Sequence, residues 1–277
     1  MRSTNISVDG ALGSWGSAMI EPYNDKPSST GSLLVNASVL ISLAQQWSQA
    51  GFQVNIHAIG DLANRYAIDA FESSYPGLCP GLSSKECQMK HRFRIEHAQI
   101  IHVDDQARML KVGIIPSIQP THATSDMAYA EHRLGPDRTA QEAYRMRSFL
   151  PLTPVLGSDF PVEPPNPFEG MFAAITRKSP KTGRGKHGNE HGWHMNEALS
   201  SEDALRGFTI APARGAFLEG KAGVIKPGAF ADWIVLDEPL SQIKDDDIRH
   251  IRVRETWVAG RMVYKRDAST EASKDEL

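Results

Sequence analysis

Three apolar runs in this chain each stop on a side chain that can hold a metal ion or move a proton: VNIHAIGD at His57, RFRIEHAQ at His97 and TPVLGSDFP at Asp159. Two imidazoles and a carboxylate suit a borderline divalent cation such as zinc. One such residue alone says little. A single strand-end histidine is more often hydrogen-bonded in the core or a loop, and the aspartate of G-S-D-F-P is a good turn residue or helix cap. The recurrence points to a site, because parallel α/β barrels build their active sites at the C-terminal ends of successive strands.

Neighbouring polar residues carry weaker signals. His122, in IQPTHATSD, follows a further strand and either reaches the same mouth or stands in solvent as a loop residue. Glu96 precedes His97 and, by strand alternation, points to the opposite face, where a salt bridge suffices to explain it. Asp61 either orients His57 or caps the next helix, and capping is the simpler role. His187, His191 and His194 lie in a polar, Gly-rich stretch that reads as a flexible loop before it reads as a metal tract. Trp15, Trp193 and Phe160 either line an apolar pocket or belong to the core.

The elements that would position these residues alternate along the chain. Residues 33–49 recur apolar at helical spacing and end at Gly51, and 52–56 read as a short buried strand. Helix is predicted over 62–72 with Asp61 as cap, then a Cys/Pro/Gly/Ser loop, strand over 92–95 and helix over 104–112. Strand at 113–118, helix at 140–147, strand at 155–156 and helix at 167–176 follow. The last helical segment, 202–217, is broken at Pro212. Repeated strand–helix units imply a parallel sheet covered by helices. From Gly223 the pattern changes to strand pairs joined by turns, a small all-β appendage over about 220–266, and a charged, Ser-rich tail over 267–277 is expected to be flexible.

At 277 residues, with 40% apolar residues, the chain can bury a sizeable core. A net charge of -3 with mixed signs gives no reason to expect nucleic acid or an anionic membrane as partner, and no apolar run is long enough to span a bilayer. Cys79 and Cys87 either pair in an oxidising lumen or remain free thiols, and their spacing matches no C-x2-C metal motif. The start, RSTNISVDG, lacks the features of a secretory signal, whereas the chain ends in Lys274-Asp275-Glu276-Leu277, the tetrapeptide read by endoplasmic-reticulum retrieval receptors. The expected location is therefore the reticulum lumen if a signal lies in a missing N-terminal part, and the cytoplasm otherwise.

HAIGDLAN, RIEHAQ, GSDFPVEPPNPFEG and TIAPARGAFLEGKAGVIKPGAFADWIVLD together resemble the amidohydrolase superfamily, specifically its amidohydrolase-3 branch with the N-substituted formamide deformylases. The resemblance covers nearly the whole chain. It implies a (β/α)8 barrel whose metal site hydrolyses a carbon–nitrogen bond, with a small β-sandwich built from both chain ends. By motif, His57 and His97 would be metal ligands, and Asp159 both a ligand and the acid that takes a proton from water and passes it to the leaving nitrogen. His122 and Asp9 would lie on the substrate side. Two departures stand out. No His-x-His pair precedes position 57, and where the family usually carries a lysine four residues before Asp-Gly, this chain has Asn5 before Asp9-Gly10.

The resemblance implies an incomplete barrel of about strands 4–8 over residues 1–219, followed by a β-sandwich portion over 220–266. The expected function is zinc-dependent hydrolysis of an amide or N-formyl bond in a small molecule. The alternative is a catalytically impaired relative that keeps the scaffold for binding or regulation. An open nucleotide-binding fold is disfavoured, since no Gly-rich phosphate loop follows the first strand. An incomplete barrel would also expose two sheet edges and uncover an apolar interior, so self-association with another copy, or aggregation, is expected.

Overall fold

The computed structural model describes residues 2–267, so the KDEL ending and the tail expected to be flexible lie outside the described residues, apart from Asp267. Five strands form one parallel sheet in chain order: β1 (Ser3–Ser7), β2 (Gln53–Ala58), β3 (Arg94–His97), β4 (Ile115–Ile118) and β5 (Val155–Leu156). Helices make the crossovers. α1 (Ala37–Gln49) follows β1, α2 (Asp61–Leu78) and α3 (Ser84–His91) follow β2, and α4 (Val103–Val112) follows β3. Between β4 and β5 come α5 (Pro120–Asp126), α6 (Ala130–Leu134) and α7 (Pro136–Glu142). After β5 come α8 (Pro167–Thr176), α9 (Ser201–Phe208) and α10 (Ile210–Gly215). A separate antiparallel sheet joins β6 (Trp233–Leu236), β7 (Val253–Val258) and β8 (Arg261–Lys265).

Local chemistry explains the main helices. Asn36 caps α1 by accepting from the Val39 N–H, and Leu40, Ala44 and Ser48 supply its buried stripe at four-residue spacing. α2 runs six residues beyond its expected end and carries Pro76 near its C-terminus. α3 lies in what reads as loop, yet Ser83 and Glu86 form a reciprocal capping box that starts it. The helix expected over 140–147 sits instead at Pro136–Glu142. Gly135-Pro136 opens it, and Tyr144, at φ 53, turns away to donate its N–H to Gln99 O. The break expected at Pro212 falls at Thr209, because Pro212 occupies the first turn of α10, where no intrahelical N–H is required.

The two faces of the parallel sheet differ. Val54, Ile56, Ala58 and Ile95 are wholly buried, in one cluster with Ala63, Ala67, Ile68 and Phe71 of α2 and Met109 of α4. On the alternate positions the register aligns Asn5, Asn55 and Arg94 in one row and Ser7, His57, Glu96 and Ser117 in the next. The face expected to be apolar is therefore polar, because QVNIHA and RIE place their polar residues at every second position.

Candidate metal centre

His57 and His97 sit at the C-terminal ends of β2 and β3, and Asp159 follows β5 by three residues. Alternation alone would send His97 to the helix-covered side with Ile95. Instead its backbone turns to φ 72, Ala98 follows at φ 43, and Asp159 stands at φ 58. Non-glycine residues pay of order 1–3 kcal/mol for such conformations, which persist where the surrounding structure enforces them. The consequence at β3 is that Glu96 and His97 line the same cavity, contrary to the opposite-face reading. That cavity, of about 290 Å³, is lined by Asn5, Asn55, His57, Arg94, Glu96, His97, Gln119 and Asp159. Glu96 also accepts from Arg94 Nε at 2.9 Å, so the expected salt bridge exists within the site.

His97, His122 and Asp159 each offer a ligand atom, and all three atoms lie within 4.8 Å of one another. His122 therefore belongs with the cluster, not in solvent. The His97 ring stacks nearly parallel to His122, centroids 5.7 Å apart, and meets the His57 ring edge-on at 4.3 Å. His57 shares the cavity but stands outside that three-residue set. His57 Nε2, His97 Nδ1 and His122 Nε2 are all buried without a hydrogen-bond partner. Orphaned imidazole nitrogens beside a carboxylate are what a divalent cation satisfies, so the residues fit such an ion.

Burial first, then the neighbouring His57 and His122 rings, push the His97 pKa down from 6.5 to about 3, with Gln119 opposing. His57 is also lowered, chiefly by burial. His97 is thus neutral, its lone pair available to a cation without a prior deprotonation. Because its folded-state pKa lies below the unfolded value, its contribution to stability is complete above pH 6.5 and is lost as pH falls from there towards about 3. Its imidazole resonances should accordingly stay flat down to about pH 4 in an NMR titration; a midpoint near the ordinary value would show that the ring is not enclosed in this way.

Asp9 has a wholly buried side chain. Its Oδ1 accepts from Ile59 N at 3.0 Å, and its Oδ2 from Gly60 N at 2.8 Å and Ala18 N at 2.9 Å, with His57 Nε2 at 3.7 Å from Oδ1. It ties the β2–α2 turn, which carries the end of the His57 strand, to the segment after β1. Gly60 permits the approach: a Cβ there would meet Ala18 O at 2.1 Å. Asp61 accepts from Ile20 N and Leu62 N, and no hydrogen bond of its carboxylate reaches His57.

The remaining candidates separate. His194 approaches Glu131, which also accepts from Lys186 Nζ and Trp193 Nε1, so the polar loop is pinned to α6. His187 and His191 join no metal-competent group among the described residues. Trp193 is core, Trp15 is stacked by Arg133 at 3.8 Å, and Phe160 stands 66% exposed beside Asp159. Three residues of the cavity, Asn55, Arg94 and Gln119, escaped the sequence reading. Gln119 directly follows β4, the position that singled out His57 and His97, and could have been found by it; Asn55 shows only as one polar member of an alternating strand.

A parallel sheet whose strand ends gather two or three imidazoles and a carboxylate is an α/β scaffold whose strand-end residues could hold a metal ion. The amidohydrolase family model matches residues 2–264, and the chain belongs to that family. It is 33% identical over 259 residues to Protein LONG AFTER FAR-RED 3 of Arabidopsis thaliana, covering 93% of this chain and 42% of that protein. It is 25% identical over 241 residues to the N-substituted formamide deformylase of Arthrobacter pascens, covering 86% of this chain and 41% of the enzyme. Among solved structures, an uncharacterized metal-dependent hydrolase from Pyrococcus horikoshii superposes with a TM-score of 0.74 at 27% identity, over 88% of this chain and 46% of that one. The chain thus spans less than half the length of these relatives.

Proposed function

We propose that this chain is the metal-holding portion of a hydrolase that cleaves a carbon–nitrogen bond of amide or N-formyl type in a small molecule. The observation that carries the reading is the joint placement of His97, His122 and Asp159 within 4.8 Å at the strand ends. Family membership and likeness to a formamide deformylase support it. On this reading the five-stranded sheet is part of a (β/α)8 barrel over residues 1–219, and β6–β8 belong to a β-sandwich over 220–266.

His97, His122 and Asp159 would hold the ion, with His57 as a further donor, and zinc suits two or more nitrogens with one oxygen. A divalent ion, when bound, polarises the carbonyl and makes water a competent nucleophile near neutral pH. Asp159, at the cavity wall, accepts the proton that water loses as its oxygen bonds to the carbonyl carbon. The same carboxylate returns that proton to the nitrogen as the carbon–nitrogen bond breaks, so water and amide become a carboxylic acid and an amine. Phe160 and Val162, 66% and 67% exposed, offer an apolar edge for the substituent on nitrogen.

A second reading rests on Asn5, which lines the cavity where an ionisable ligand from β1 would stand; an amide there favours a chain that binds ligand without turning it over. The purified chain, loaded with zinc and supplied with N-substituted formamides, separates the two. About one ion per chain with release of formate supports the hydrolase; one ion without turnover of any formamide or simple amide favours the binding role; and a chain that retains no metal overturns the hydrolase and leaves the binding role.

A further inference from the structure

Cys79 and Cys87 are joined in a disulfide, resolving the alternative that their spacing leaves open. Both are buried, Cys87 completely. The bond has an unusual neighbour. Cys87 and His91 lie four residues apart on α3, hence on one face of the helix, and Cys79 closes α2 opposite them. The two sulfurs and a His91 ring nitrogen lie within 4.8 Å of one another. His91 Nε2 is buried and has no hydrogen-bond partner, so the ring presents an unused lone pair or proton. The cluster lies just before Arg94, where β3 begins, whereas the strand-end cluster lies where β3 finishes. The two are at opposite ends of the sheet.

We propose that this disulfide is the oxidised form of a second metal site with three protein donors, in which Cys79 and Cys87 thiolates and His91 Nε2 hold a zinc-class ion once a thiol reductant has opened the bond. A dithiol supplies the two electrons and two protons that convert the S–S bond into two thiols, and is itself oxidised to its cyclic disulfide. Binding of the ion then releases those two protons, as both sulfurs bind as thiolates. His91 contributes its neutral form, and burial, followed by the charge of Lys90, lowers its pKa in the required direction. Two thiolates cancel the charge of a divalent ion, so the filled site is electrically neutral, as its burial demands. The cysteine Cα atoms stand 5.8 Å apart, so side-chain rotation can open the sulfurs around an ion without moving either helix. One coordination position remains for water. Bridged by sulfur or by metal, the end of α2 stays tied to α3, and the staple survives a change of redox environment.

Cobalt(II) added to the dithiol-treated full chain tests this, since thiolate-to-cobalt charge-transfer absorption cannot arise from the nitrogen and oxygen donors at the strand ends. Two titratable thiols should appear, the absorption should saturate at about one ion per chain, and helicity should be kept. His91→Ala should weaken that binding by about tenfold or more, and Cys79→Ser should abolish the absorption while the chain stays helical. Thiols that open without the absorption would overturn the proposal. So would an affinity unchanged in His91→Ala, a bond that no reductant opens in the native chain, or a reduced chain that unfolds and is not refolded by the ion.

Discussion

His97→Ala should lower the bound metal from about one ion per chain to near zero and remove hydrolysis with it, leaving a chain that still folds. His97 is the hub of the cluster: 7% exposed, in ring contact with both His57 and His122, and grouped with Asp159. Losing even an outer partner of a metal ligand costs roughly 10–100-fold in affinity, and losing one of three direct donors costs more. Asp159→Asn separates the two roles of that carboxylate. It keeps an oxygen that can face the ion but removes the base, so the rate should fall by about 10²–10⁴-fold with a smaller loss of metal. His122→Ala should resemble His97→Ala more closely than His57→Ala does, because His57 lies outside the three-atom set. Metal analysis beside formate release reads all four variants. Retention of stoichiometric metal by His97→Ala would remove the centre from the strand ends altogether.

The strand-end residues were legible because each follows an apolar run and precedes a turn, a pattern that depends on nothing distant. The polar open face was equally present in QVNIHA, where every second residue is polar, although reading the run as simply buried obscured it. α3 was marked by its Ser83–Glu86 capping box, hidden among cysteine, proline and glycine. What no local pattern could show is the left-handed backbone at His97, which reverses strand parity and brings Glu96 and His97 to one cavity. The grouping of His122 with Asp159 also depends on the packing of α5 and on the turn after β5, 37 residues apart in sequence. Membership of the cluster is a tertiary property.

Asp9→Ala should be the most destabilising single substitution near the site, at about 3–6 kcal/mol. It strands the buried N–H groups of Ala18, Ile59 and Gly60, at roughly 1–3 kcal/mol each before relaxation. Asp9→Asn retains the shape but turns an NH2 towards one set of donors, so an intermediate loss is expected. The pH dependence distinguishes this from a simple cavity. Burial outweighs the three hydrogen bonds and pushes the Asp9 pKa up from 3.8 to about 6. Its folded-state value thus lies above the unfolded one, and the stability associated with the protonated carboxyl is complete below about pH 4 and is lost as pH rises through about 6. The swing is of order 3 kcal/mol. Asparagine has no such titration, so wild type should lose ground against Asp9→Asn between about pH 4 and pH 7, while the opposing titration of His97 affects both chains alike and cancels. Denaturant melts of the two proteins at those pH values read the difference directly; parallel stability curves would mean that Asp9 is already ionised throughout. The carboxylate has no solvent-facing surface, so the expected loss of activity in either variant follows from displacement of the His57 strand end, not from a lost contact with substrate.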